Sequence, residues 1–468
     1  MLESTPLQPE AQSILDNESP LEDYLSHYPD TRYLDVFYCD LSCVMRGKRY
    51  PISQADKVFT SGMMSPGSSF LLAVTGESMD PEGMGFSDGD PDELGRPLIG
   101  TLVPSPWCQV PTAQVMMTME SLEGVPYYYE PRNVLSRVLD RFTAMGLRPV
   151  VAFELEFYLF AMGRDEDGGL IPASSPLTGE RMDATQVYSM QDVEDFSLYL
   201  DEVTSACQHQ GVITGAISGE YSPGQFEINL QHSDNPLQAA DHSVMFRRAV
   251  QGVARKHGYQ ASFMAKPDAK NSGSGLHLHI SLLDESGNNV FDGGGEYATA
   301  GCMSETLRHS LGGLKVTTAD AMGFLAPNVN SYRRFVPNIY VPVTADWGFE
   351  NRSVAFRIPK SPGSARRIEH RIAGADANPY LTLAAILSGI HYGIANQIDP
   401  GEPAVGNAGE QEDPNIPFTL ADAMVRTRSS KTLADYMGED YLKAYTSCKS
   451  IEAAEFARSG KAEFAWYL

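Results

Sequence analysis

The chain reads as an α+β protein, because strand-like and helix-like segments are mixed along it without strict alternation. Four stretches alternate apolar and polar side chains with a period of two, as strands buried on one face do: Val151 to Phe160, Gln225 to Leu230, Leu276 to Leu282 and Arg366 to Ile372. Between them lie segments whose apolar residues recur every three or four positions, the spacing of amphipathic helices. At 468 residues and 42% hydrophobic content, the chain is long enough for two or three domains with large cores.

Taken in order, residues 1–20 are polar and aperiodic, and are expected to form a mobile arm, with ordered structure starting near Leu21. Tyr33 to Asp40 alternates like a strand, and Met45 to Tyr50 continues through a turn into a second. Thr75 to Pro106, rich in Gly, Asp and Pro, predicts long loops over a small sheet, and Val115 to Glu120 predicts another strand. Pro131 suits the first turn of a helix whose apolar stripe is Val134, Leu135, Val138, Leu139 and Phe142. A domain boundary is therefore expected at 130/131, giving domains over 21–130 and 131–468. Further helices are expected at Asp192 to Gln210, Pro236 to Lys256, Ser304 to His309 and Pro379 to Gln397.

A formal net charge of -25 disfavours nonspecific binding to nucleic acid or anionic membrane. No apolar run approaches the roughly 20 residues needed to span a bilayer, and the acidic N-terminus lacks an apolar core, so a cytoplasmic location is expected. The six cysteines, at 39, 43, 108, 207, 302 and 448, offer no second pair to complete a zinc site beside Cys39 and Cys43, and read as reduced thiols, mostly buried.

Chemistry concentrates on the polar faces of the four alternating strands. Residues i and i+2 share a face, so Glu154 joins Glu156, His277 joins His279, and Glu369 sits between Arg367 and Arg371. Solvated charges would explain any one such pair. Four strands of this kind point instead to a shared acidic cleft, which burial and mutual repulsion make costly unless cations neutralise it. Carboxylates with an occasional imidazole suit hard ions such as Mg²⁺ or Mn²⁺. The arginines of 351–359 and 366–371 fit phosphate and carboxylate recognition, or structural neutralisation of the glutamates. No Gly-x4-Gly-Lys-[Ser/Thr] loop is present, so any nucleotide is held by another scheme.

Six segments in order resemble the glutamine synthetase superfamily: Phe153-Glu-Leu-Glu-Phe157, Gly219 to Glu227, Ala265-Lys-Pro-Asp268 with Gly273 to His279, Asn330 to Arg334, Asn351-Arg-Ser353 and Arg367-Ile-Glu369. The resemblance implies a small N-terminal β-grasp-like domain and a large catalytic domain built on a curved antiparallel half-barrel sheet flanked by helices. It implies one metal held by Glu154, His277 and Glu369, and another by Glu156, Glu220 and Glu227. It further implies Arg352 and Arg357 on phosphate, Arg334 and Arg371 on glutamate and its activated carboxyl, His279, Ser281 and Arg367 on ATP, and Gly273 against the bound glutamate. A homo-oligomer is implied too, a dodecamer of two hexameric rings in which a neighbour's N-terminal domain completes each site.

Two departures concern the amine. The ammonium-using enzymes carry an aspartate where this chain has Pro66, and a flap glutamate where it has Tyr340. An aromatic in place of a carboxylate removes charge and adds a surface that packs on methylenes and attracts cations weakly. With Met45 to Arg49, Gly89 to Asp92 and Arg371 to Pro379, the pattern looks like the glutamate-putrescine and glutamate-polyamine ligases of bacterial polyamine catabolism. The expected substrates are thus glutamate, ATP and a polyamine, against the alternatives of ammonium-dependent glutamine synthesis or a catalytically inactive structural member. Asp346, Glu350 and Glu220 are the candidate proton acceptors. The family's adenylylated tyrosine lies in a segment that here reads Asn407 to Pro414, without tyrosine. Incubation with an adenylyltransferase and ATP is expected to leave the intact mass unchanged; a gain of one adenylyl group in this segment contradicts the expectation.

Overall fold

The computed structural model describes residues 19–166, 168–184 and 186–460. The arm expected over residues 1–20 falls, apart from Ser19 and Pro20, outside the described residues. Two sheets organise the rest. The first comprises β1 (Tyr33–Cys39), β2 (Met45–Pro51), β3 (Met63–Pro66), β4 (Asp92–Pro97), β5 (Val103–Pro104) and β6 (Thr112–Glu120), ordered β2-β1-β6-β4-β3 with β5 also on β6. Only β1 and β6 run parallel in it. Short helices α1 (Pro20–His27) and α2 (Asp56–Thr60) accompany this sheet.

The second sheet has eight strands: β7 (Arg148–Ala161), β8 (Thr214–Gly219), β9 (Gln225–Leu230), β10 (Tyr259–Ser262), β11 (Leu276–Leu283), β12 (Trp347–Phe349), β13 (Phe356–Ile358) and β14 (Ile368–His370). Their order is β12-β13-β14-β11-β7-β9-β8, with β10 pairing the far end of β7. The flanking helices are α3 (Pro131–Ala144), α4 (Met190–Asp195), α5 (Ser197–His209), α6 (Pro236–Lys256), α7 (Glu305–Leu325), α8 (Pro379–Ala395), α9 (Leu420–Ser429), α10 (Lys431–Met437) and α11 (Glu439–Ser459). The α+β class holds.

The period-two pattern of β7 decides where the core lies. Val151, Phe153, Leu155, Phe157 and Leu159 are fully buried, and Phe157 packs edge-on to Phe246 of α6 at 6.4 Å between ring centroids. Burying each side chain of this size contributes about 1.5–3 kcal/mol. The glutamates between them are thereby forced onto the opposite face. Helix α8 is buried on nearly every side and crosses α7 at a pair of glycines. A Cβ on Gly313 would lie 2.1 Å from the Gly389 carbonyl oxygen, and one on Gly393 would lie 2.6 Å from the Cα of Gly313, so only glycine permits this approach.

The structure corrects several element boundaries. The helix expected at Ser304 to His309 continues to Leu325, although its Gly312-Gly313 pair and its Val and Thr residues are weak helix formers; packing against α8 sustains it. The helix expected over Asp192 to Gln210 is two, α4 and α5, joined at the buried, non-helical Phe196. The segment 75–106 holds β4 and β5 as well as loops. Helices α9 and α10 go beyond the expected set; each starts at a hydroxyl cap, Thr419 accepting from Asp422 N–H and Ser430 from Leu433 N–H. All six cysteines are free, and all but Cys108 are buried. Among the described residues, no helix is long and apolar enough to cross a membrane.

A buried ion pair ties the C-terminal helix to the first sheet's loops. Lys449 Nζ donates to Glu452 Oε1 at 3.1 Å, to Ser42 Oγ at 2.9 Å and to Asn328 Oδ1 at 3.0 Å, while Glu452 Oε2 accepts the Val74 N–H at 2.7 Å. Both side chains are essentially inaccessible. Lys449→Met strands the Glu452 charge and is expected to destabilise the fold by about 3–5 kcal/mol, whereas Lys449→Met with Glu452→Met costs less. Thermal denaturation of the three proteins checks this; a double variant no more stable than the single contradicts it.

Candidate active site

Strand register brings the polar faces of β13, β14, β11, β7 and β9 into one row. His277 stands opposite Glu154, Glu156 opposite Glu227, His279 opposite Glu369, and Glu369 opposite Arg357. Two triads result, Glu154, His277 and Glu369, and Glu156, Glu227 and His277, each with ligand atoms within 4.8 Å of one another. The first is the set expected from the sequence. In the second His277 appears where Glu220 was expected; Glu220 follows the end of β8 and takes a bond from Ser218 Oγ at 3.3 Å.

The face is electrostatically uneven. Burial opposes ionisation of Glu154, yet bonds from His277 and His279 hold its carboxyl well below the usual range. Burial also opposes ionisation of Glu369, but Arg371, the two histidines and Arg357 bring it to about 2. Glu227 gains only a bond from Asn229: burial, then Glu154, Glu156 and Glu220, push it up to about 9. Glu220 is raised to about 7 by burial and Glu156. Side by side, these carboxylates hold more negative charge than the nearby cations offset. The residues therefore fit divalent cations: an oxygen-rich donor set with one shared imidazole, whose engaged carboxylate oxygens each keep a second lone pair.

Hydrogen bonds orient the donors. His279 Nδ1 accepts from Arg367 Nε at 3.0 Å, which leaves the ring proton on Nε2 to donate to Glu154 Oε1 at 2.7 Å. Arg357 Nη1 donates to Glu369 Oε2 at 2.6 Å, and Arg371 Nη1 donates to Glu369 Oε1. Glu156 Oε2 accepts from Gln225 Nε2 at 3.1 Å and from Gly275 N–H at 3.0 Å, and Asn229 Nδ2 donates to Glu227 Oε1 at 3.3 Å. Gln225 and Asn229 were not among the expected site residues, although period two places them on the same face of β9 as Glu227.

The other expected residues lie at varied depths. Arg334 is buried, and burial lowers its pKa. Its Nη1 donates to the Ile372 carbonyl at 2.9 Å, and its buried Nε has no partner. Reciprocal bonds between the Asn330 side chain and the Lys266 backbone, 2.7 and 2.8 Å, fix the turn that carries it. The Arg334 stem crosses Gly273, where a Cβ would lie 2.6 Å from Arg334 Cγ and 2.8 Å from the Ala265 carbonyl oxygen. Ser281 continues the polar face of β11, opposite Val150. Arg352 is exposed at the rim and donates from Nη1 to Tyr188 OH at 3.2 Å. Tyr188 was not expected either: it lies in an aperiodic loop, with φ +61° and its N–H on the Gly219 carbonyl at 2.9 Å. Such left-handed strain in a bulky residue clusters at functional sites. Tyr340 stands apart from the charge network, 66% exposed. Of the candidate proton acceptors, Asp346 pairs with Lys315 and Glu350 with Arg357. Pro66 is exposed at the end of β3.

Comparison with known proteins agrees with this geometry. Residues 128–467 match the family model described as glutamine synthetase, catalytic domain. The chain is 41% identical over 447 residues to gamma-glutamylputrescine synthetase PuuA of Escherichia coli (strain K12), covering 95% of this chain and 93% of that protein. It is 36% identical over 377 residues to a glutamate–isopropylamine ligase of a Pseudomonas species, covering 79% of each. A solved structure of a GmaS/ADP complex superposes with a TM-score of 0.79 at 28% identity, over 94% of this chain and 97% of that one.

Gly273→Ala drives a methyl group into Arg334 and a backbone carbonyl that has little room to yield. Activity is expected to fall about tenfold or more, with the melting temperature changed by only a few degrees, since overpacking costs about 1–3 kcal/mol. Steady-state kinetics beside a thermal melt check this, and unaltered kinetics contradict it.

Proposed function

From the premise that this chain belongs to the glutamine synthetase family, we propose that it joins the γ-carboxyl group of glutamate to an amino group of a polyamine at the expense of ATP, in polyamine catabolism. The observation that carries this reading is the row of carboxylate and histidine donors flanked by guanidiniums, Arg357 and Arg371 both meeting on Glu369. The putrescine-ligating relative supports a polyamine as acceptor, and the isopropylamine ligase supports an alkylamine in general.

In the reaction, the γ-carboxylate oxygen attacks the γ-phosphorus of ATP and ADP leaves; the amine nitrogen then attacks the carbonyl carbon, phosphate departs with the C–O electron pair, and the amine's proton passes to a base. Mg²⁺ or Mn²⁺ bound at Glu154, His277 and Glu369, and at Glu156, Glu227 and Glu220, supplies charge neutralisation for the phosphate oxygens. Arg352 and Arg357 contact the transferring phosphate. Arg334 holds glutamate, Arg371 the activated carboxyl, and His279, Ser281 and Arg367 the nucleotide, with Gly273 lying against glutamate. An alkylammonium with a pKa near 10 is roughly one part in a thousand free amine at pH 7, so the site must also accept a proton. Tyr340, aromatic and exposed, packs on the alkyl chain.

We read residues 21–130 and 131–468 as separate domains, the parallel β1–β6 pairing supporting a β-grasp-like first domain. The assembly is read as a dodecamer of two hexameric rings, which the exposure of Pro66 and Tyr340 supports as surfaces that meet a neighbour. Free, mostly buried cysteines support a cytoplasmic location.

An amine panel with glutamate and ATP tests the reading. Putrescine or spermine is expected to drive phosphate release and yield the γ-glutamylated product by mass, and ammonium at low concentration is not; the reverse ranking assigns glutamine synthesis instead. Tyr340→Glu is expected to lower kcat/KM for the polyamine about tenfold, or 1.4 kcal/mol. Unchanged putrescine and spermine kinetics in this variant count against the role given to Tyr340.

A further inference from the structure

Asp376 lies in the segment from Arg371 to Pro379 and is buried, yet no step of the reaction uses it. The backbone on either side of it is tied down. Gly374 N–H donates to the Leu325 carbonyl and Ala375 N–H to the Ser274 carbonyl, both at 3.0 Å. Arg247 Nη1 donates to the Ala375 carbonyl at 2.7 Å and to the Ala377 carbonyl at 3.3 Å.

One oxygen of the Asp376 carboxylate holds the approach to Arg334. Oδ2 accepts from Asn328 Nδ2 at 2.7 Å and from Ser331 Oγ at 2.6 Å, and Ser331 Oγ in turn accepts the Asn328 N–H at 3.1 Å. Lys449 Nζ donates to Asn328 Oδ1 at 3.0 Å, which turns the amide NH₂ of Asn328 toward Asp376. Arg334 ends the turn that begins at Asn330, so these bonds act on the backbone just before it.

The other oxygen lies near the Arg334 guanidinium. A Cβ on Gly374 would be 2.5 Å from Asp376 Oδ1 and 3.4 Å from Arg334 Nη1, so both atoms border the space that this glycine leaves open. Oδ1 is buried and has no hydrogen-bond partner among the described residues. Burial opposes the charge of Arg334, while Glu156 and then Asp376 favour it. A guanidinium taken out of water depends on such neighbours, because an uncompensated buried charge is costly.

We propose that Asp376 is a positioning residue for glutamate: it holds Arg334 in place through Asn328 and Ser331 and sets a negative charge beside its guanidinium, without touching substrate. The inference rests on the assignment of Arg334 to glutamate in the preceding subsection. Loss of Asp376 is then a selective loss of glutamate binding, with the nucleotide and amine contacts left as they are.

Two variants separate the two contacts. Asp376→Asn keeps an oxygen for Asn328 and Ser331 but puts an uncharged group beside Arg334, and Ser331→Ala keeps the charge but removes one bond from the turn. KM for glutamate, ATP and the acceptor, kcat and the melting temperature are measured for each, with putrescine as acceptor, or ammonium should ammonium prove to be the acceptor. The glutamate KM is expected to rise about tenfold in D376N and about threefold in S331A, with the other two KM values within about twofold of the wild type. Equal rises for all three substrates show a general structural role and overturn the proposal, as does an unchanged glutamate KM. S331A alone decides the matter if D376N fails to fold. Arg334→Lys, measured alongside, keeps the two assignments apart. A normal glutamate KM in R334K overturns the role given to Arg334, whereas a raised one beside a normal value in D376N overturns only the role given to Asp376.

Discussion

Everything in the site depends on the crowding of carboxylates on one face of the eight-stranded sheet. The crowding is a consequence of hydrophobic burial on the other face. Phe153, Leu155 and Phe157 point into the core, so Glu154 and Glu156 must point out, and antiparallel pairing sets His277 and Glu227 directly beside them. A slip of one residue in β7 or β9 would bury a carboxylate and expose a phenylalanine. The same free energy that builds the core therefore fixes the spacing of the donors, and holds together charges that repulsion alone would separate.

The arrangement compensates this repulsion unevenly, and the unevenness is informative. Glu154 and Glu369 are satisfied by histidines and arginines already in place, and both stay ionised. Glu227 and Glu220 are not, and both are pushed toward the protonated form. On the proposed reading, a divalent cation would restore their charge and place phosphate oxygens within reach of Arg352 and Arg357. The arginines serve two successive purposes on this view: they steady the carboxylates before substrate arrives and meet the transferring phosphoryl group afterwards.

Much of this was legible before the structure, because period-two alternation carries facing information directly. Glu154, Glu156, Glu227, His277 and Glu369 were all readable as members of one polar face, and the helix at Pro236–Lys256 as an apolar stripe between natural caps. What escaped had no period to betray it. Tyr188 belongs to an irregular loop and reaches Arg352 only through tertiary folding. The full length of α7 runs through glycines and β-branched residues that local propensity disfavours, and exists because α8 packs against it. Gln225 and Asn229 were on the visible face of β9 but are amides, without charge to draw notice, and their task of aiming carboxylates is apparent only from the bonds they make.

The most direct measurement is a Mn²⁺ titration of the metal-free protein followed by electron paramagnetic resonance, comparing the wild type with Glu227→Gln. Two ions per chain are expected in the wild type, one at Glu154, His277 and Glu369 and one at Glu156, Glu227 and Glu220, and the second is expected to be lost or greatly weakened in the variant. Saturation without any bound manganese, or identical binding in the two proteins, would contradict the claim that this acidic face exists to hold cations.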